Sequence, residues 1–185
     1  FLPQQNGIDY ITVSGFNINK AATTWAPPAA YQDGMIGPHW SKGWIIEDCE
    51  IWGSKCAGIS VGKYYDPEND HFFTRHHVKS PTQMERDAVC RGQYHGWLKE
   101  KVGSHIIRRN NIHHCEQGGI LGRQGGVFSI IEDNHIHHIN NMMELGGAEI
   151  AGIKMHAAID VTMRRNHIHH CTMGIWTDWE AQGTR

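Results

Sequence analysis

Apolar and polar positions along this chain fall into a block that recurs. Four times a short apolar stretch runs into a polar pair, then reaches an Ile and, some residues on, a Gly-Ile step. The first copy runs Ile45-Ile46-Glu47-Asp48-Cys49-Glu50-Ile51 to Gly58-Ile59, and the second Ile106-Ile107-Arg108-Arg109-Asn110-Asn111-Ile112 to Gly119-Ile120. The third runs Ile130-Ile131-Glu132-Asp133-Asn134-His135-Ile136 to Gly152-Ile153, and the fourth Val161-Thr162-Met163-Arg164-Arg165-Asn166-His167-Ile168 to Gly174-Ile175. Self-similarity at roughly 20–30 residues marks a solenoid. Short β-rich units with Asn and Gly at their corners predict an all-β solenoid, a parallel β-helix in which each unit makes one coil.

Register supports the repeat. Asn110 and Asn134 are 24 residues apart, whereas Asn134 and Asn166 are 32 apart, the excess matching an insertion over Asn141 to Ala148. A corner Asn tolerates a left-handed backbone and can bond to the Asn above and below it. Residues 8–18 read as a first strand pair, followed by a loop holding Trp25-Ala26-Pro27-Pro28. A long insertion, about 63–103, separates the first two clear copies. Its first half, Lys63 to Pro81, reads as loop. Its second half opens on Thr82-Gln83-Met84-Glu85, a capping-box pattern, and predicts a helix from about Thr82 to Lys101, weakened by Gly92 and Gly96. Residues 1–185 are thus expected to form one partial β-helix domain. Nothing before Arg185 resembles the polar cap of a terminal repeat, so further C-terminal coils are expected in a longer protein.

Composition narrows the function. The 17 basic and 19 acidic residues, a formal charge of −2, suggest neither nucleic acid nor a membrane surface as partner. No apolar run approaches the roughly 20 residues of a spanning helix. The five cysteines, Cys49, Cys56, Cys90, Cys115 and Cys171, show no framework spacing and favour a reducing, cytoplasmic compartment. Cys115 and Cys171 share a repeat position two coils apart, roughly 10 Å, beyond disulfide reach. Both read as small apolar residues of the coil. Of 15 histidines, six fall in the repeated pairs His113-His114, His137-His138 and His169-His170. A ladder of pairs is not the convergent ligand set a metal centre needs, so these read as structural, with no metal and no cofactor expected. His71, His76 and His77 sit in the long loop. Seven tryptophans are many for 185 residues; core packing accounts for about half, and indoles outside the core would suit sugar rings.

Alternation of side chains along a strand locates the candidate chemistry. The Ile after each Gly (Ile59, Ile120, Ile153, Ile175) should point into the coil, with Val61, Met155 and Thr177. Two outward columns follow. One is Ser60, Leu121, Lys154 and Trp176; the other is Gly62, Arg123, His156 and Asp178. Cation, imidazole, indole and carboxylate on one solvent-facing wall make the composition of a sugar cleft. Asp178, in Trp176-Thr177-Asp178-Trp179, could be a glycosidase nucleophile; on spacing alone an ordinary turn carboxylate is an equal reading. Glu149, just ahead of the third Gly-Ile step, could bind substrate or donate a proton. Glu180 points outward by parity and reads as rim.

The stretches Gly147-Ala148-Glu149-Ile150-Ala151-Gly152-Ile153-Lys154-Met155-His156-Ala157-Ala158-Ile159-Asp160 and Gly174 to Arg185, with its Trp-x-Asp-Trp-x-x-Gln-Gly string ending in Gln182-Gly183, resemble glycoside hydrolase family 120. So do Ala22 to Pro28, His39-Trp40-Ser41-Lys42-Gly43-Trp44 and His114-Cys115-Glu116-Gln117, and the likeness covers nearly the whole chain. It implies a bacterial β-xylosidase on a right-handed parallel β-helix, acting on xylo-oligosaccharides by a retaining mechanism. Asp178 would be the nucleophile, and Glu149, Lys154, His156, Trp176, Arg123 and Gln182 would hold the sugar. The acid/base glutamate would lie about one coil further on, beyond Arg185, leaving this segment alone inactive or nearly so. A non-catalytic, adhesin-like carbohydrate-binding solenoid is the other reading. A polysaccharide lyase would need a Ca²⁺-holding cluster of outward Asp residues, which Asp178 and Arg123 do not supply. Self-association stays open.

Overall fold

The computed structural model describes residues 1–21, 32–65, 81–144, 146 and 149–185, less the side chains of residues 81, 82, 84, 85, 88 and 89. The loop at Trp25 to Pro28, the histidines 71, 76 and 77, most of the stretch from Lys63 to Pro81, and Gly147-Ala148 lie outside the described residues.

Among the described residues, three parallel sheets of five strands run along the solenoid. The first holds β1 (Thr12–Ser14), β4 (Ile45–Glu47), β7 (Ile106–Arg108), β10 (Ile130–Glu132) and β13 (Thr162–Arg164). The second holds β2 (Asn17–Asn19), β5 (Glu50–Trp52), β8 (Asn111–His113), β11 (His135–Ile139) and β14 (His167–Cys171). The third holds β3 (Gly34–Ile36), β6 (Ala57–Val61), β9 (Gly118–Gly122), β12 (Ala151–Met155) and β15 (Ile175–Thr177). Each coil contributes one strand to each sheet, as the repeat requires.

Isoleucine columns fill the interior. Ile18, Ile51, Ile112, Ile136 and Ile168 pair in register down the second sheet, and Ile36, Ile59, Ile120, Ile153 and Ile175 down the third. A β-branched side chain stacked on copies of itself fits the pleated surface and loses little rotamer freedom. Cys115 belongs to this core, and burial pushes its thiol up to about 12. Cys171 is half-buried, and every cysteine is free. At the bend into the third sheet, a Cβ on Gly119 would lie 2.5 Å from the Gly152 carbonyl and 2.7 Å from Ile136, which leaves room only for glycine.

The corner between the first two sheets differs in detail from expectation. Asn110, Asn134 and Asn166 do stack: Asn110 Nδ2 donates to Asn134 Oδ1 and Asn134 Nδ2 to Asn166 Oδ1, both at 3.0 Å. The left-handed backbone, however, belongs to the residue before each Asn: Arg109 (φ 54°), Asp133 (φ 56°) and Arg165 (φ 55°), with Asp48 (φ 54°) ahead of Cys49. That kink turns the amide inward, where its Nδ2 also reaches a main-chain carbonyl, Ile46 O from Asn110 and Ile107 O from Asn134.

Polar pairs beside this corner alternate in sign from coil to coil: Glu47-Asp48, Arg108-Arg109, Glu132-Asp133, Arg164-Arg165. Arg109 grips Asp48 through two bonds of 2.8 Å, and Arg165 grips Asp133 at 2.7 and 2.8 Å. Exposed pairs contribute little stability, so their clearer effect is on register, because equivalent corners of successive coils never meet with like charge.

In the long insertion one helix, α1 (Pro81–Gly96), is described. It ends five residues before the expected Lys101, because Gly96 adopts φ +111° and stops it. Trp97 then ties the segment to the solenoid by donating to the Gln124 carbonyl at 2.9 Å. The other weak point, Gly92, is where α1 meets Trp40: a Cβ there would come within 2.8 Å of the indole.

Candidate functional site

The third sheet's register builds the two outward columns. Ser60 pairs with Leu121, Leu121 with Lys154, and Lys154 with Trp176. One residue beyond the strands, Arg123 N donates to Val61 O, His156 N to Gly122 O and Asp178 N to Met155 O, so Arg123, His156 and Asp178 occupy successive coils. Thr177 and Ile175 continue the interior columns but are exposed at their last position.

The columns do not form an open wall. Lys154 is fully buried, Glu149, His156 and Arg123 are buried, and at this end of the columns Asp178 and Trp176 keep partial exposure. The reason is a charge cluster that closes on itself. The Lys154 ammonium lies 2.8 Å from Glu149 Oε2, 2.9 Å from Asp178 Oδ2 and 2.9 Å from His156 Nε2. It also sits 4.4 Å from the centre of the Trp176 ring, a cation–π contact made strong by desolvation. An ammonium cannot be buried without such partners.

Glu149 was expected as a substrate contact or proton donor. Its two oxygens meet the cluster, Oε2 at Lys154 and Oε1 at His156 Nε2 at 2.9 Å, with its backbone in the left-handed region (φ 74°). Burial alone would raise its pKa. The His156 hydrogen bond and the charges of Arg123, His156 and Lys154 outweigh burial and hold the carboxyl at about 2. His156 Nε2 has both Lys154 and Glu149 within reach; it can donate to the carboxylate or accept from the ammonium, but not both. Its Nδ1 is buried with no hydrogen-bond partner among the described residues, 3.8 Å from Asp178 Oδ2.

Asp178 caps this arrangement. Burial raises its pKa, yet the Lys154 bond and the Trp179 N–H, which donates to Oδ1 at 2.7 Å, bring it below the ordinary carboxylate value. Its side chain is 29% exposed, so the anion is held in place and still reachable. Glu149, His156 and Asp178 lie close enough to share a divalent ion. Lys154 Nζ stands within 2.9 Å of each of the three, so the chain supplies its own cation where the ion would sit.

Two expected residues stand apart. Arg123 hydrogen-bonds Gln32 Oε1 at 2.5 Å and acts on Glu149 through its charge. Gln182 makes a bridge through its main chain to Ile159, and its side chain is exposed. Sequence reasoning passed over Gln32, whose place beside Arg123 has no repeat signal. It set the Trp179 ring beside Asp178 but did not count it among the sugar-holding residues; the ring packs against His156 at 4.7 Å, and the residue is 36% exposed. Its signal was available in the Trp-x-Asp-Trp string.

Three stacked parallel sheets with this corner chemistry define the class: the chain belongs to the right-handed β-helix region family, which matches residues 36–184. Among solved structures it is similar to XylC, determined in complex with xylose, with 52% identity and a TM-score of 0.87 over 99% of this chain. This chain spans 28% of the XylC chain. No curated protein matches it. The likeness to XylC bears out the resemblance to glycoside hydrolase family 120.

Proposed function

We propose that this chain carries the nucleophile of a retaining glycoside hydrolase acting on β-xylosides and short xylo-oligosaccharides, and that Asp178 is that nucleophile. The observation that carries the reading is the state of Asp178: an ionised, reachable carboxylate whose two oxygens are oriented by Lys154 and the Trp179 N–H. The similarity to XylC, which binds xylose, supports the sugar class.

In the first step an Asp178 oxygen attacks the anomeric carbon. The glycosidic bond breaks as an acid protonates the departing oxygen, leaving a glycosyl ester on Asp178. Water then attacks the same carbon, gives its proton to the same acid/base group, and frees Asp178. Glu149, ionised and buried against Lys154, is unsuited to protonate a leaving group near neutral pH. That role falls to a glutamate beyond Arg185, as the family resemblance implies. A matching position on the adjacent coil would place it about 5 Å away, the separation a retaining mechanism uses. Lys154 orients Asp178, Glu149 and His156 hold Lys154, and the Trp179 and Trp176 rings offer apolar faces to the sugar.

Trapping with a 2-fluoro-xylosyl donor on the full-length protein, followed by peptide mass mapping, tests this. A label on the peptide containing Asp178 is expected. Xylobiose bound but uncleaved, with no label, would instead identify a carbohydrate-binding solenoid.

A further inference from the structure

A second cluster of chemistry lies on the outer face of the second sheet. His113, His137 and His169 stack there with ring centres 4.9 and 5.2 Å apart, and His135 stacks on His167 at 4.9 Å. Residues i and i+2 of a strand share a face, so β11 presents His135 and His137 while β14 presents His167 and His169. Register sets His135 opposite His167 and His137 opposite His169. The diagonal then closes: His135 Nε2 lies 2.8 Å from His169 Nε2. One ring nitrogen from each of His135, His167 and His169 falls within 4.8 Å of the other two.

We propose that His135, His167 and His169 form a site for one divalent transition-metal ion that prefers imidazole, Zn²⁺ being the representative, with a fourth position open to solvent. Three imidazoles with an open position is a recognised zinc geometry, and zinc–nitrogen bonds of about 2.0–2.1 Å separate tetrahedral ligands by about 3.3 Å. The 2.8 Å contact and the 4.8 Å limit bracket that spacing, and these half-buried to exposed rings can rotate to meet it.

A supporting shell is present. His169 Nδ1 lies 2.6 Å from His170 Nδ1; donating its proton there leaves the Nε2 lone pair for the metal. His137 is committed elsewhere, with Nε2 donating to Asn111 Oδ1 at 3.1 Å. Burial, and then neighbouring imidazoles, lower the pKa values of His135 and His169, which favours the neutral form a metal requires. Bound there, the ion would clamp two successive coils.

The test is calorimetric titration of tag-free protein with ZnCl₂, paired with Co²⁺ absorption. One saturable Zn²⁺ site per chain and the intense visible bands of low-coordinate Co²⁺ are expected. His167→Ala and His169→Ala should each weaken binding at least tenfold, while His114→Ala and His138→Ala leave it unchanged. Absent or unsaturable binding would overturn the proposal, as would loss on His138→Ala but not on His167→Ala. The Co²⁺ spectrum is read on the unaltered chain, so a misfolded variant cannot obscure the answer.

Discussion

Replacing Lys154 by Met tests the central claim about the site, that its buried cation holds two carboxylates together. Methionine keeps the length and apolar stem of lysine and removes the charge. In the native chain the ammonium is fully buried, 2.8 Å from Glu149 and 2.9 Å from Asp178. Removing one partner of a buried ion pair costs about 3–5 kcal/mol, because the remaining charge keeps its desolvation penalty and loses its compensation. Here Glu149 stays buried, with only His156 and Arg123 to support it. Asp178 loses its strongest hydrogen bond and relaxes toward water. A total of about 3–5 kcal/mol is therefore expected for Lys154→Met. Adding Glu149→Gln to Lys154→Met should restore at least about 1 kcal/mol, since the second change removes the stranded charge. Urea unfolding at pH 7 of the native chain, both single variants and the double variant gives the four free energies. A cost below about 1 kcal/mol for Lys154→Met, or single costs that simply add, would refute the reasoning.

Asp178→Asn in the full-length protein should lower kcat by at least about 10³-fold while sugar binding changes little, because it removes the group that forms the covalent intermediate; steady-state kinetics and calorimetry check this. Asn134→Asp keeps the shape of the corner ladder but turns a donor toward Ile107 O and Asn166 Oδ1 into an acceptor, and a loss of about 2–5 kcal/mol in urea unfolding is expected. Burial lowers the pKa of His105 to about 4, and its Nδ1 accepts from the Trp44 N–H. The unfolded chain, near 6.5, therefore binds more protons between pH 6.5 and 4. Stability present above 6.5 is lost as pH falls through about 4, in total about 3 kcal/mol. His105→Asn retains an acceptor for Trp44 but does not titrate, so its stability should fall less steeply with acid over that window. Equal slopes for the two proteins would show that His105 does not drive the loss. His39, also lowered to about 4 by burial, keeps some slope in both.

How legible each feature was depends on whether the coil repeats it. The isoleucine columns, the parity of the third sheet and the Asn ladder follow from period and alternation, and the structure contains them residue for residue. What failed was local backbone geometry. The left-handed corner sits on Asp48, Arg109, Asp133 and Arg165; Asp visits that region readily and Arg does not, so residue type marks only two of the four copies. The corner is imposed by the inward bonds of the following residue, Asn in three of the four copies. The alternating charge of the same corner was in plain view, but only a known register shows that those pairs meet.

The site shows the same division. Parity correctly placed Lys154, His156, Trp176 and Asp178 outside the coil, and wrongly suggested that outside meant solvent. Whether an outward residue is covered depends on what lies across from it. That was set by Glu149, positioned by a non-repeating insertion, and by Trp176, packed over the Lys154 ammonium. The histidines show the same dependence on register. Counting adjacent His-His pairs gave a ladder with no convergence, because the two rings of each pair turn their Nδ1 atoms to one another, across a kink at His114, His138 and His170. The convergent set joins His167 and His169, two apart on one strand, to His135 on the next, and it appears only once the strands are laid side by side. In a solenoid the chemistry of a site is therefore read across the coils, in steps of one repeat and two residues, before it is read along the chain.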